Sequence, residues 1–265
     1  MGMSRVTSVT LLALALFASG ACAANQGMAP HPPVVPRGQF QLGLKLGIEA
    51  PLTGVRNDYD CIENNRADCP ARDDRSMYER ASVGLGTSAP QTAPWFLAAV
   101  GLGHDVDVQA GVSPQGAEAT SHWRFVSCTC FGLGLAVAPA LRYSWSVSMI
   151  TPLDDALALD HYRLFTATLP LDVVGQVRRG PLLFAGPVAS LTYYDLGGSL
   201  SGMPLDASQG PLSGWTRRLG IHVGSAWDWK PVELRTDITF VWLRTPDSTY
   251  DGHMALIDLT LLWVH

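Results

Sequence analysis

Phe40, Leu42, Leu44, Leu46 and Ile48 alternate with Gln41, Gly43, Lys45, Gly47 and Glu49. Successive side chains of a strand point to opposite faces, so this period of two gives one apolar face and one polar or small face. The run lasts roughly ten residues, the length a tilted strand needs to cross a bilayer. The design recurs in Val106, Val108, Ala110 and Val112, in Leu141, Tyr143, Trp145, Val147 and Met149, and in Leu219, Ile221, Val223, Ser225 and Trp227. It appears again in Val232, Leu234, Thr236, Ile238, Phe240 and Trp242, and in Ile257, Leu259, Leu261 and Trp263. A chain built this way folds into sheet.

A soluble sandwich alternates too, but three further features point to a membrane. First, the connections are short and long by turns. Gly103-His104-Asp105, 178–181 and Lys230-Pro231 are tight, while 51–80, 152–160, 196–213 and 245–252 are long and polar. Barrels that cross a membrane have short turns on the periplasmic side and long loops outside. Second, Trp227, Trp229 and Trp263 fall at one edge of the expected strands, and Trp123, Tyr162, Trp215, Trp242 and Tyr250 at the other. Two such sets suit the aromatic girdles at the two interfaces. Third, the polar-facing rows are rich in Gly, Ala and Ser, which suit the crowded inside of a narrow barrel.

Hydrophobic residues make up 47% and charged residues 15% of the 265 positions, enough apolar surface to offset the entropy of ordering the chain. A net charge of −5 lacks the basic footprint of a nucleic-acid binder. Near the N-terminus, Arg5, the apolar run from Val9 to Phe17 and the small residues at 18–23 read as a secretory signal over 1–23. Ala21-Cys22-Ala23 fits ordinary cleavage. Ser19-Gly20-Ala21-Cys22 is similar to a lipobox, and on that alternative Cys22 carries lipid. A leader at 24–38 follows, extended by Pro30, Pro32, Pro33 and Pro36. Beyond the signal no apolar run reaches the roughly 18 residues of a membrane helix.

By pattern and not by a signature motif, 39–265 resembles the broad class of small bacterial outer-membrane β-barrels. The resemblance implies an all-β, transmembrane, up-and-down antiparallel barrel of about ten strands, within a range of eight to twelve. It also implies the outer membrane of a Gram-negative bacterium, with both termini on the periplasmic side. Strands are expected at 39–50, 93–102, 106–113, 121–137, 141–150, 162–177, 182–195, 215–229, 232–244 and 253–264. One feature departs from the class, which typically ends on an aromatic residue, since Trp263 is here followed by Val264 and His265.

On this reading the lumen holds Lys45, Arg124, Arg142, Arg218 and Arg235 against Glu49, Asp107, Asp172, Asp228, Glu233, Asp237 and Asp258. Similar numbers of both signs suit a self-neutralising network, because an unpaired buried charge is costly. A charged constriction that selects solutes is the alternative. Cys61 and Cys69 lie in a polar external stretch, where an oxidising compartment makes a disulfide the expectation. Cys128 and Cys130 would share one strand face, too far apart for relaxed bridge geometry, and read as small lumen residues.

No cofactor, metal or catalytic motif stands out, and Gly-x-Ser-x-Gly is absent. Omptin proteases set a pair of acids against a His-Asp pair. Asp58, Asp60, Asp251 and His253 offer those residue types without the rest of that family's sequence. The expectation is therefore a non-enzymatic barrel, either a narrow pore or a membrane-structural protein, whose partners are outer-membrane lipids. The alternative is a scaffold barrel that docks an envelope machine of adhesion, motility or secretion through its external loops or its leader.

Overall fold

The structure, a computed structural model, describes residues 35, 37–53, 94–103, 105–128, 133–145, 157–177, 180–200, 203–204, 212–244 and 251–264. Its elements are β1 (Phe40–Thr53), β2 (Trp95–Gly101), β3 (Val106–Ser113), β4 (Gly116–Cys128), β5 (Leu133–Val137), β6 (Ala140–Ser144), β7 (Leu157–Gln176), β8 (Leu182–Leu200), β9 (Met203–Pro204), β10 (Leu212–Trp229), β11 (Val232–Arg244) and β12 (Asp251–Val264). Neighbours pair antiparallel around the ring, and β1 pairs with β12 from Gln41↔Val264 to Thr53↔His253. β5 and β6 are two halves of one wall strand, each lying between β4 and β7. β9 is a short rung on the end of β8. The described residues thus close a barrel of ten wall strands. Closure leaves no edge of unpaired backbone groups, the condition for a sheet to sit in lipid.

The alternation in the sequence becomes an inside and an outside. On β10, Leu219, Ile221 and Val223 are exposed on the outer wall, while Gly220, His222 and Gly224 are buried. The outer face is apolar along the middle of the wall, with Leu42, Leu46, Phe96, Val112, Leu169, Val173, Phe240 and Leu259 all exposed. That is the reverse of a water-soluble domain and the rule for a barrel wall in lipid. Small inward residues let the narrow barrel close: a Cβ added at Gly220 would collide with the Phe240 carbonyl oxygen.

The connections sort by end. Residues 102–105, 129–132, 177–181 and 230–231 join strands at the end that carries Gln41 and Val264, whereas 54–94, 145–156, 201–211 and 245–250 join them at the other. The tight Pro114-Gln115 hairpin shares the end with the long connections. There the Ser113 hydroxyl accepts from the Gln115 N–H at 3.1 Å, closing the turn locally.

The middle of the chain differs from the expected strands. The span 121–137 is not one strand, since β4 ends at Cys128 and the next wall strand begins at Leu133. Of the span 114–120, expected as connection, 116–120 already belong to β4. The run 129–137 carries no charged residue, Gly-Pro pair or Asn-Gly pair to mark where β4 gives way to β5. Pro139, which has no N–H to give to a ladder, splits the wall strand into β5 and β6. The shift also relocates Trp123. It pairs with Val106 beside the 102–105 turn, and so joins Trp227, Trp229 and Trp263 at that end. The opposite girdle contains Trp215 and Trp242, with Tyr143, Trp145 and Tyr193 beside them. Tyr193 and Trp215 pack their rings at 5.2 Å, and Trp227 and Trp229 do so at 5.8 Å. Tyr250 lies outside the described residues.

Ile238 faces out in mid-strand, opposite Val223 and Ile257. Ile238→Arg places a cation against the hydrocarbon and is expected to destabilise the assembled barrel by about 2–4 kcal/mol. The measurement is the fraction of protein with heat-modifiable gel mobility after refolding into bilayers. Assembly equal to wild type would contradict the inside–outside assignment.

Candidate functional site: the charged lumen

The inward rows carry most of the charge, because the outward positions along the middle of the wall are taken largely by apolar residues. Glu118 on β4 is buried and sits between two cations. Lys45 Nζ on β1 lies 3.3 Å from its Oε2, and Arg142 Nη2 on β6 lies 3.1 Å from the same oxygen. Lys45 and Glu118 are separated around the wall by β2 and β3, so their contact is a chord across the lumen. Gly111 on β3 leaves the path clear, since a Cβ there would lie 2.8 Å from Glu118 Cγ. Lys45 also reaches Asp258 on β12, at 3.9 Å. The Arg142 guanidinium lies 5.1 Å over the ring of Trp95, which is buried in the lumen, adding a cation–π contact to the pair.

A second cluster spans the opposite wall. The His222 imidazole stands between two carboxylates, with Nδ1 2.9 Å from Asp237 Oδ2 on β11 and Nε2 2.6 Å from Asp172 Oδ1 on β7. Thr239 donates its hydroxyl to Asp237 Oδ1 at 2.8 Å, and the Phe184 ring packs on the imidazole at 6.0 Å. The third cluster lies beside the 102–105 turn. Asp107, 1% exposed, faces His122 Nδ1 at 2.6 Å and accepts the backbone N–H of Val35 at 2.6 Å. Val35 is itself buried, so the chain just before β1 enters the mouth of the barrel. Arg124 pairs with Asp105, and Arg235 with Glu233. Between the clusters remains a cavity of about 270 Å³ bordered by Lys45, Glu118, His122, Asp172, His222 and Asp237.

Of the residues expected in the lumen, Lys45, Asp107, Arg124, Arg142, Asp172, Glu233, Arg235, Asp237 and Asp258 all take part in these ion pairs and hydrogen bonds. Arg218 is buried on the same face. Asp228 is exposed next to the 230–231 turn. The Glu49 side chain and the whole of Cys22, Cys61, Cys69 and Cys130 lie outside the described residues. Sequence reasoning missed Glu118, His122 and His222. Strand parity holds the signal for all three. Glu118 fell in a span taken for connection, and His222 stands in an inward row between Gly220 and Gly224. Among the described residues no group of His, Cys, Asp and Glu is placed to hold a metal ion.

Removing Glu118 takes away the carboxylate that both Lys45 and Arg142 face, and leaves Lys45 its longer contact to Asp258. Glu118→Ala is expected to destabilise the barrel by about 3–5 kcal/mol. The combined replacement Lys45→Met, Glu118→Leu and Arg142→Met should cost far less, because the three charges leave together and Asp258, which loses Lys45, is partly exposed. Urea unfolding in detergent micelles measures both, and equal losses would show that pairing is not what the cluster contributes.

No family model and no curated relative matches this sequence. Solved structures that it resembles in shape include the Neisserial surface protein A, at 8% identity, with 85% of this chain and 95% of that one covered and a TM-score of 0.38. Another is Ail, the attachment invasion locus protein of Yersinia pestis, at 7% identity, 86% and 97% coverage and a TM-score of 0.32. A third is the monoaromatic hydrocarbon channel CymD, at 9% identity, 86% and 89% coverage and a TM-score of 0.26.

Proposed function

We propose that this chain is a non-enzymatic, membrane-structural barrel of the Gram-negative outer membrane, with a lumen held shut by its own ion pairs. The observation that carries this reading is the chord from Lys45 to Glu118, which ties β1 to β4 across the interior, with Arg142 on the adjacent β6 facing the same carboxylate. A polar solute crossing the barrel would have to part those pairs, or the His222 cluster behind them, and leave charges unpaired in a confined space. The remaining cavity of about 270 Å³ is at the lower limit of the volumes that hold small ligands. Within the same reading, 1–23 is an export signal, cleaved or lipidated at Cys22, and 24–38 is a periplasmic leader whose end, at Val35, fills the mouth.

Planar-bilayer recording tests the proposal. Wild-type protein should be electrically silent, while Glu118→Gly together with Arg142→Ala should show discrete openings. Steady wild-type channels would identify a narrow pore instead.

A scaffold role is the second reading. It is favoured by the grouping of the long connections 54–94, 145–156, 201–211 and 245–250 at one end of the barrel. Those stretches would present a contact surface outside the cell, and a Cys61–Cys69 disulfide would stiffen the first of them. A bridge closing so short a loop contributes about 2–3 kcal/mol of local ordering, and the closed ladder does not depend on it. Cys61→Ser with Cys69→Ser is therefore expected to keep heat-modifiability and to raise protease sensitivity in 51–80. Labelling of both thiols in intact cells by a membrane-impermeant maleimide would exclude the bridge.

A further inference from the structure

The outer wall is apolar, yet Arg217 faces outward on β10 between Trp215 and Leu219 and is exposed. It makes no ion pair or hydrogen bond among the described residues. Arg163, also exposed at this end, stands opposite Asp195 in the β7–β8 register, whereas Arg217 stands opposite Arg244 in the β10–β11 register. Below Arg217 on the same face follow Leu219, Ile221, Val223 and Trp227, down to the 230–231 turn. Above it the Trp215 and Tyr193 rings pack together. This order sets Arg217 at the rim of the apolar band on the side of the long connections, the level of lipid headgroups.

A groove of about 830 Å³ runs from Arg217 along the outside of the wall. Its floor is the hydrogen-bonded row Thr120↔Ala140↔Thr168↔Ser190↔Arg218, whose side chains point into the lumen and leave backbone at the bottom. Its walls are low where Ala167 and Ala189 face out, and apolar where Leu141, Leu169, Leu191 and Leu219 do. The Arg217 end lies further from the periplasmic-side turns than the β4 end, so the groove descends from headgroup level into the hydrocarbon.

We propose that this groove is a binding site for a phosphate-bearing lipid of the outer leaflet, with an acyl chain along the row and the phosphate on Arg217. An arginine offers a planar fork of donors that matches phosphate oxygens. An acyl chain laid over small residues makes contacts that a wall of large side chains would prevent. The proposal rests on the outer-membrane reading given above.

The test uses the full mature chain, refolded in detergent and offered bisphosphorylated lipid A or a phosphate-free diacylglycerol, with bound lipid counted by native mass spectrometry. Wild type should retain lipid A preferentially. Arg217→Gln should lower that preference about fivefold, the scale of one exposed charge pair, and Arg217→Lys should keep most of it. Ala189→Phe, an apolar change on the lipid face, should lower retention of both lipids. Excess inorganic phosphate should not displace the lipid. Unchanged preference in Arg217→Gln, unchanged retention in Ala189→Phe, or displacement by phosphate alone would each overturn the proposal. Heat-modifiable mobility is read on every sample. Its absence from wild type would instead refute the membrane barrel itself.

Discussion

Every backbone N–H and C=O of a chain in hydrocarbon must find a partner within the chain, because no water is there to supply one. In this protein the demand is met by pairing β1 with β12, first strand with last. Before that pairing forms, the sheet has two open edges. Once it forms, the wall is continuous, and each strand's alternation is assigned one face toward lipid and one toward the lumen. The remaining features follow from that closure.

One consequence is an inverted protein. The apolar residues that would fill the core of a soluble domain line the outside, so the interior must be packed from polar and small side chains. A ten-stranded wall encloses little space, and charges placed inside it have few waters to rely on. The clusters around Glu118, His222 and Asp107 are the physical answer, in which each carboxylate meets a cation, an imidazole or a backbone N–H. The glycines at 47 and 111 belong to the same solution. A side chain at either would occupy the space of Asp258 or Glu118.

The sequence was legible where alternation and turn residues agree. β3 and β11 lie at 106–113 and 232–244, as the pattern indicates, because apolar–polar alternation there is bounded by short polar or Pro-containing turns. It was not legible around 114–140. A tight Pro-Gln hairpin stands there where a longer connection was expected, and the break between β4 and β5 falls in a run without charged residues. A proline in mid-wall divides one strand in two. Misplacing that turn hid Glu118 and carried Trp123 to the wrong girdle. Local residue preference does not distinguish an apolar strand from an apolar turn when both are built from small residues.

By itself the sequence determined that this chain forms strands with two unlike faces, that the apolar face is continuous enough for lipid, and that the polar face holds charges of both signs. Those are local properties, read from a period of two. Only the tertiary structure decided which charges meet. Lys45 and Glu118 are 73 residues apart and on strands that do not pair, so their contact depends on the curvature and stagger that closure imposes on the whole wall. The same holds for His222 and Asp172, which lie on strands separated by β8, and for the row that descends from Arg217 across five wall strands.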